Sequence, residues 1–292
     1  MTLLRSIAIC SLTLLAALLY WVPLLPASAL LLPLPAETRR HLARKLLLGF
    51  GLFTVRVAWR PFFRVRYSDR SGGAREPGII AVNHRAATDA FLVSLPHLSA
   101  AQTVNGWPLR LPFIGWMAKF AGYLDITGWE YDKLKSRAAA ILAHGDMILS
   151  YPEGTRSESK TMNPFHSGIF QVARELEVPV YMLCIAGNQH MPDRRFRFRE
   201  FRDLSVRLLP PIPRDAVKRS ASAYALRKEV FRIMESELAE MDDELERELR
   251  RSGAHGDAAT ASAPVPEARR DGTRKDAQGF FPAPPEIEES CR

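Results

Sequence analysis

Cysteine is scarce. Cys10, Cys184 and Cys291 are the three in 292 residues, and they fall in an apolar segment, a strand-like run and a polar tail. Such spacing excludes a disulfide framework and a cysteine zinc site, and it suits a reducing compartment. A Gly-x-Ser-x-Gly elbow is missing too, which excludes the usual serine lipase arrangement. There is no His-Glu-x-x-His run, and His84, Asp89, His97, His144 and His166 do not form a comparable cluster, so no metal is expected. No internal repeat is visible, and no charged residue occurs from Ser6 to Ala36.

That uncharged segment sets the context for the excess of basic residues elsewhere. A net charge of +8 calls for an anionic partner, and next to a membrane-grade apolar segment the partner is an anionic lipid surface rather than nucleic acid. Ile7 to Val22 is dense in Leu, Ile and Ala, close to the roughly 20 residues that a spanning helix needs. Pro23, Pro26, Pro33 and Pro35 are expected to break the helix beyond Val22, leaving a full span and a re-entrant hairpin both open. A signal peptide is the rival, from Arg5 and Ala27-Ser28-Ala29, but Leu30-Leu31-Leu32 prolongs the apolar run. Arg39, Arg40, Arg44 and Lys45 outnumber Arg5, which puts the following domain on the cytoplasmic side, at the inner membrane in a bacterium. The next run continues toward Trp59 with Arg56, Arg60 and Arg64 at helical spacing, either as an interfacial helix or as a packed helix with solvated arginines.

Past Ser71-Gly72-Gly73 the pattern alternates. Strands are expected at 78–82, 101–104, 123–127, 147–151 and 178–185, with helices at 89–96, 112–121, 131–144 and 165–176. This alternation predicts an α/β fold with a mostly parallel central sheet covered by helices, behind an N-terminal hydrophobic membrane segment. Arg195-Phe196-Arg197-Phe198-Arg199 reads as a strand with a basic face, Ser205 to Leu209 as another, and Ser220 to Arg251 as an amphipathic helix with Tyr224, Val230, Phe231, Met234, Leu238, Met241, Leu245 and Leu249 on its apolar side. From Ser252 onward Pro, Ala, Gly and charge dominate, the composition of a disordered tail.

Chemistry gathers where the run Gly78-Ile79-Ile80-Ala81-Val82 gives way to Asn83-His84-Arg85-Ala86-Ala87-Thr88-Asp89. A loop at a strand's carboxyl end is where ligands collect in open α/β sheets. An imidazole suits proton removal from an alcohol near neutral pH, better when a carboxylate fixes its tautomer, and His84 with Asp89 offers that pair. Thr88 or Asp89 is also placed to cap the next helix. Downstream, Tyr151-Pro152-Glu153-Gly154-Thr155-Arg156-Ser157 follows a second strand and supplies a carboxylate, a tight turn and a guanidinium.

Four blocks in order, Asn83-His84 with Asp89, Pro112-Phe113-Ile114-Gly115, Glu153-Gly154-Thr155-Arg156-Ser157 and Val178-Pro179-Val180, resemble the glycerolipid acyltransferase family, which includes 1-acylglycerol-3-phosphate acyltransferases. The resemblance covers about residues 40 to 215. It implies that His84 is a general base acting on an acceptor hydroxyl, that Asp89 orients it, and that the donor is acyl-CoA or acyl-carrier protein as co-substrate, with no cofactor. It also implies that Glu153, Gly154, Thr155 and Arg156, with Pro112 and Gly115, serve substrate binding, Arg156 taking the phosphate of a lysophospholipid acceptor. The expected divisions are an anchor or re-entrant segment at 1–36, a basic and aromatic interfacial helix at 37–70, an acyltransferase domain at 71–215, an amphipathic helix at 216–251 and the tail at 252–292.

Two departures from the family pattern bear on the acceptor. Where family members carry an arginine after the Gly122-Tyr123-Leu124-Asp125 stretch this chain has Gly128, and His166 stands in place of a lysine in Phe165-His166-Ser167-Gly168. Arg110 and Lys119 are the candidates to compensate. The acceptor is then 1-acyl-glycerol-3-phosphate, another lysophospholipid or a lyso-aminolipid. A membrane lipid-binding protein without activity is the reading from outside enzymology.

Overall fold

The computed structural model describes residues 2–251 apart from 74, 107, 111–113, 129, 194–196 and 199–202. In chain order the elements are α1 (Thr2–Ser28), α2 (Ala36–Phe53), β1 (Val65–Asp69), β2 (Ile79–Val82), α3 (Asp89–Leu92), β3 (Ala100–Val104), α4 (Ile114–Phe120) and β4 (Leu124–Asp125). Then come α5 (Tyr131–Ala143), β5 (Met147–Ser150), α6 (Gly168–Glu175), β6 (Val180–Ala186), β7 (Leu204–Leu208), α7 (Arg214–Arg219) and α8 (Ala223–Arg251).

One seven-stranded sheet runs β1-β7-β6-β2-β5-β3-β4. Its pairings are parallel except β6 with β7, where the chain turns back. Every residue of β2, β5, β6 and β7 is buried. That is why β2, β5 and β6 read as largely apolar runs: a sheet covered by helices has no solvent side to alternate with, and only β7 alternates, burying Ser205 and Arg207. Among the covering helices, α5 buries Leu134, Ala138, Ile141 and Leu142, a stripe at helical spacing. Ile79 faces Ile148 of β5 and Val180 of β6, so β2 lies at the centre and its carboxyl end opens between both neighbours.

Several expectations change. α1 runs through Pro23 and Pro26, and the break comes only after Ser28. An interior proline costs about 3 kcal/mol or more, but these two sit in the last two turns. There Trp21 is buried against Phe50, with ring centroids 5.7 Å apart, and the Tyr20 hydroxyl donates to Leu46 O at 2.9 Å. The expected helix toward Arg64 stops as an α-helix at Phe53, passes through a π-helical turn at Thr54–Ala58 and gives way to β1, so 37–70 is not one interfacial helix. Trp59 is 2% exposed, donating its indole N–H to Thr13 Oγ1 of α1 at 2.9 Å. Such a bond nets about 1 kcal/mol, less than burying the ring itself, so packing rather than polarity fixes α1 there.

Arg44 is no surface charge either. It is buried, pairs with Asp146 at 2.5 Å and donates from Nε to Ala121 O at 2.9 Å, tying α2 to the sheet domain. Removing one partner of such a pair costs about 3–5 kcal/mol.

β1, an edge strand paired only with β7, carries the alternation Val65-Arg66-Tyr67-Ser68-Asp69 and was not among the expected strands. The expected helix at 89–96 is a single α-turn followed by turns up to Pro96, and the long C-terminal helix begins at Ala223 with the separate α7 before it. Tyr224 is 55% exposed under Arg227 rather than on the buried side of α8. The Arg195–Arg199 strand falls largely outside the described residues. Arg197 and Phe198 are not in a strand, Arg197 pairs with Asp193, and Phe198 is buried beside Phe63. The tail at 252–292 also lies outside the described residues.

α1 holds the described helix that is long and apolar enough to cross a membrane, Leu3–Leu24. Ile9 and Ala16 face the protein, while Leu4, Ile7, Leu14, Leu15, Leu18 and Val22 are exposed on the other side.

Candidate active site

The site starts one residue beyond β2. Asn83 is buried, its carboxamide donating from Nδ2 to Ile185 O at 2.9 Å and accepting from Ile185 N at 2.8 Å. The side chain thus completes the β2–β6 pairing while the backbone turns away and presents His84.

His84 Nδ1 lies 2.8 Å from Asp89 Oδ2. A carboxylate only accepts, so Nδ1 carries the hydrogen and Nε2 offers a lone pair. Among the described residues Nε2 has no hydrogen-bond partner, and the side chain keeps 22% of its surface exposed. Asp89 is fully buried and shares Oδ2 with Ala86 N at 2.9 Å, while its Oδ1 accepts from Asn188 Nδ2. Neither Thr88 nor Asp89 caps α3 through its side chain. Thr88 Oγ1 donates instead to Met191 O at 2.8 Å and accepts from Asn188 Nδ2 at 3.0 Å. The arrangement is an imidazole with Nε2 open, a buried carboxylate on its Nδ1 and an amide holding that carboxylate, drawn from the loop after β2, the start of α3 and the loop after β6.

The loop after β5 closes the other side. Glu153 is 3% exposed and accepts both the His84 N–H on Oε1 and the Asn163 N–H on Oε2, each at 2.7 Å. Ser157 N donates back to His84 O at 2.8 Å. Burial pushes the Glu153 carboxyl up to about 7, with the two backbone donors pulling the other way. Gly154 turns the chain at φ +72°, a conformation other residues adopt at a cost, and a Cβ there would lie 3.1 Å from His166 Nε2. Tyr151 stacks on the His84 imidazole with ring centroids 4.3 Å apart.

Arg156 is half-buried and enters no ion pair among the described residues. No salt bridge joins it to Glu153, whose carboxylate accepts from two backbone donors. Thr155 is exposed, with its carbonyl 3.3 Å from Asn163 Nδ2. Gly115 is buried in the first turn of α4, and Pro112 lies outside the described residues. At Gly128 the backbone N–H and that of Thr127 both donate to Asp125 Oδ1, at 3.1 and 3.0 Å. A Cβ on Gly128 would come within 2.8 Å of Asp125 Oδ2, so this turn holds a carboxylate where the family pattern holds a cation. Arg110, Lys119 and His166 are all exposed. No group of three His, Cys, Asp or Glu among the described residues could hold a metal ion.

Sequence reasoning missed Asn188, Arg85 and the role of Tyr151. A signal for Asn188 existed: it follows a buried strand at the sheet's carboxyl edge, directly after Gly187.

A family profile described as Acyltransferase matches residues 64–186. The lyso-ornithine lipid O-acyltransferase of Pseudomonas aeruginosa is 30% identical over 183 residues, 55% of this chain and 68% of that protein. The 1-acyl-sn-glycerol-3-phosphate acyltransferase of Salmonella typhimurium is 27% identical over 172 residues, covering 56% of this chain and 66% of that one. The crystal structure of the 1-acyl-sn-glycerophosphate acyltransferase from Thermotoga maritima shares the fold, with a TM-score of 0.66 over 82% of this chain and 98% of that chain, at 20% identity. With the profile match falling across β1 to β6 and a relative 30% identical over 68% of its own length, the chain belongs to the glycerolipid acyltransferase family, enzymes that acylate lyso-lipids.

Proposed function

We propose that this protein transfers a fatty acyl group from the thioester of acyl-CoA or acyl-carrier protein to the free hydroxyl of a lysophospholipid, with 1-acyl-glycerol-3-phosphate as the leading acceptor and phosphatidic acid as product. His84 Nε2 takes the hydroxyl proton as that oxygen attacks the thioester carbonyl, and Asp89 stabilises the imidazolium. Collapse of the tetrahedral adduct breaks the C–S bond, and the departing thiolate recovers the proton from His84. No protein nucleophile and no cofactor enter this scheme.

The observation that carries it is the His84 Nδ1–Asp89 contact at 2.8 Å with Nε2 left free. Arg156, without an ion pair of its own, is the natural fork for the acceptor phosphate. A shallow apolar cleft lined by Trp21, Leu24, Leu46, Leu47, Trp116 and Phe120 offers a surface against which part of a hydrocarbon chain could lie. It adjoins α1, whose exposed apolar face we assign to lipid, with the catalytic domain on the cytoplasmic side.

A second acceptor is favoured by one feature. The turn at Gly128 carries no cation, which removes a phosphate contact, and a relative is named for lyso-ornithine lipid. A panel of lyso-lipids with phosphate, zwitterionic and amino-acid headgroups, each offered with acyl-CoA and with acyl-carrier protein, separates the two. Acylation of 1-acyl-glycerol-3-phosphate, with an acceptor KM raised about tenfold or more by Arg156→Ala, is the expected result. Acylation of the amino-acid lipid alone would move the assignment to that class, and a failure of every acceptor on the panel to elicit thiol release would leave a lipid-binding role.

A further inference from the structure

α8 is the element furthest along the described chain, and one of its turns touches the active-site loops in three places. Its buried stripe is Leu226, Val230, Met234, Leu238 and Met241, and then a charge, Asp242, 7% exposed. Asp242 receives the guanidinium of Arg85 in two parallel bonds, Nη1 to Oδ1 at 2.8 Å and Nη2 to Oδ2 at 2.7 Å. Arg85 follows His84 directly and is itself wholly buried. Its Nη2 also donates to Lys160 O at 2.7 Å, in the segment between Ser157 and Asn163 that bonds the His84 backbone and the Glu153 carboxylate. Glu246, one turn beyond Asp242, pairs with the Lys160 ammonium. On the third side, a Cβ on Gly187 would meet Leu245 Cδ1 at 3.1 Å, and Gly187 precedes the Asn188 that holds Asp89.

Stability alone does not account for a charge in this stripe. A buried ion pair is often no better than well-packed apolar residues of the same volume, so Met or Leu at these positions would hold α8 equally well. What the pair adds is geometry. A forked guanidinium fixes distance and direction at once, and it reaches a backbone carbonyl that apolar side chains cannot. Loops at a sheet edge are drawn from the less stable parts of a fold, yet a base displaced by about 1 Å can lose about 10²-fold in rate.

We propose that Asp242 is a positioning residue: through Arg85 it clamps the His84 loop to the 157–163 segment, so that acyl transfer depends on a helix 157 residues further along the chain. The rate effect rests on the acyl-transfer reading above, whereas the clamp itself does not.

Two variants of the full-length protein test it, Asp242→Asn and the apolar double variant R85M/D242L. Each is measured for Tm, for amide exchange at residues 84–86 and 157–163, and for thiol release from acyl-CoA. Asp242→Asn is expected to lower Tm by about 10 °C, with exchange and rate both affected. The double variant is the decisive one. Its Tm returns to within a few degrees of the wild type, exchange at 84–86 and 157–163 stays about tenfold or more faster, and kcat stays down about 10- to 100-fold with the KM for acyl-CoA unchanged. If exchange in those segments matches the wild type, the clamp is overturned whatever the activity. If exchange rises but kcat is restored together with Tm, the dependence of acyl transfer on the clamp is overturned. A wild type without thiol release sinks the proposed function instead, and the exchange measurement still decides the clamp.

Discussion

The ring of Tyr151 lies flat against the imidazole of His84, 26° from parallel, and its hydroxyl is buried with no hydrogen-bond partner among the described residues. The ring and the hydroxyl therefore make opposite predictions. Tyr151→Phe removes an unsatisfied polar group and should hold kcat within about twofold while leaving Tm unchanged or higher. Tyr151→Ala removes the surface that limits His84 rotation and should lower kcat about tenfold or more. Equal losses in the two variants, measured by thiol release and thermal melts, would contradict this.

His84→Ala should lower kcat by about 10² to 10⁴ while leaving the far-ultraviolet circular dichroism and Tm close to the wild type, because the side chain is part-exposed and the loop's backbone bonds remain. Near-normal turnover in purified His84→Ala protein would end the general-base mechanism.

Asn188→Ala should lower kcat without raising either substrate's KM, since it frees one oxygen of a buried carboxylate that meets no substrate. Asn188→Asp should be worse, because it sets a second carboxylate against Asp89. Steady-state kinetics with both substrates varied decide it; a change confined to acceptor KM would place Asn188 on the substrate instead.

Glu153 makes a pH prediction whose sign is easily reversed. Its folded pKa, raised from 4.5 to about 7, means that the native state holds the proton more tightly than the unfolded chain. The group's stabilising contribution is therefore full below pH 4.5 and lost as pH rises through 7, by an amount on the order of 3 kcal/mol. Glu153→Gln removes this titration, so its stability should vary less with pH than the wild type between 4.5 and 7, as read from melts across that range. The same variant should be slow. A carboxamide accepts on one arm only, and its NH2 then faces the N–H of either His84 or Asn163.

Removing residues 1–36 should weaken membrane attachment without abolishing it. The truncation strips the exposed Leu and Ile face of α1, while leaving Trp59 without its covering helix, so Tm should fall as well. Sedimentation with vesicles of anionic lipid at low and high salt reads the first effect. Full retention at high salt would assign attachment to another part of the chain.

The buried strands and α5 were legible because their signal is local: unbroken apolar runs, or apolar residues at helical spacing, bounded by glycine or proline. Elsewhere a local rule is overruled by tertiary contact. Pro23 and Pro26 read as breakers, but Trp21 packed on α2 keeps the helix. Arg56, Arg60 and Arg64 fall at helical spacing, but the chain leaves the helix to supply β1 as the neighbour of β7, a strand some 140 residues further along. Arg44 reads as a topology signal, but Asp146, 102 residues later, buries it. The site divides the same way. His84 and Asp89 are five residues apart and visible together, whereas Asn188 and Asp242 lie 99 and 157 residues from the groups they hold; Asn188 is marked only by its place after a buried strand and Gly187, and Asp242 by nothing local.

The amide of Asn83 acts as one extra peptide unit added sideways to β2. It keeps the spacing of the ladder with β6 while the main chain departs, so the position of His84 is measured off Ile185. Asn188, which steadies Asp89, stands three residues beyond that same Ile185. Base and carboxylate thus take their coordinates from one ruler. A slip of β6 by a single residue would pull the two out of line, and a chain that folds with β6 in register has already aligned them before any substrate arrives.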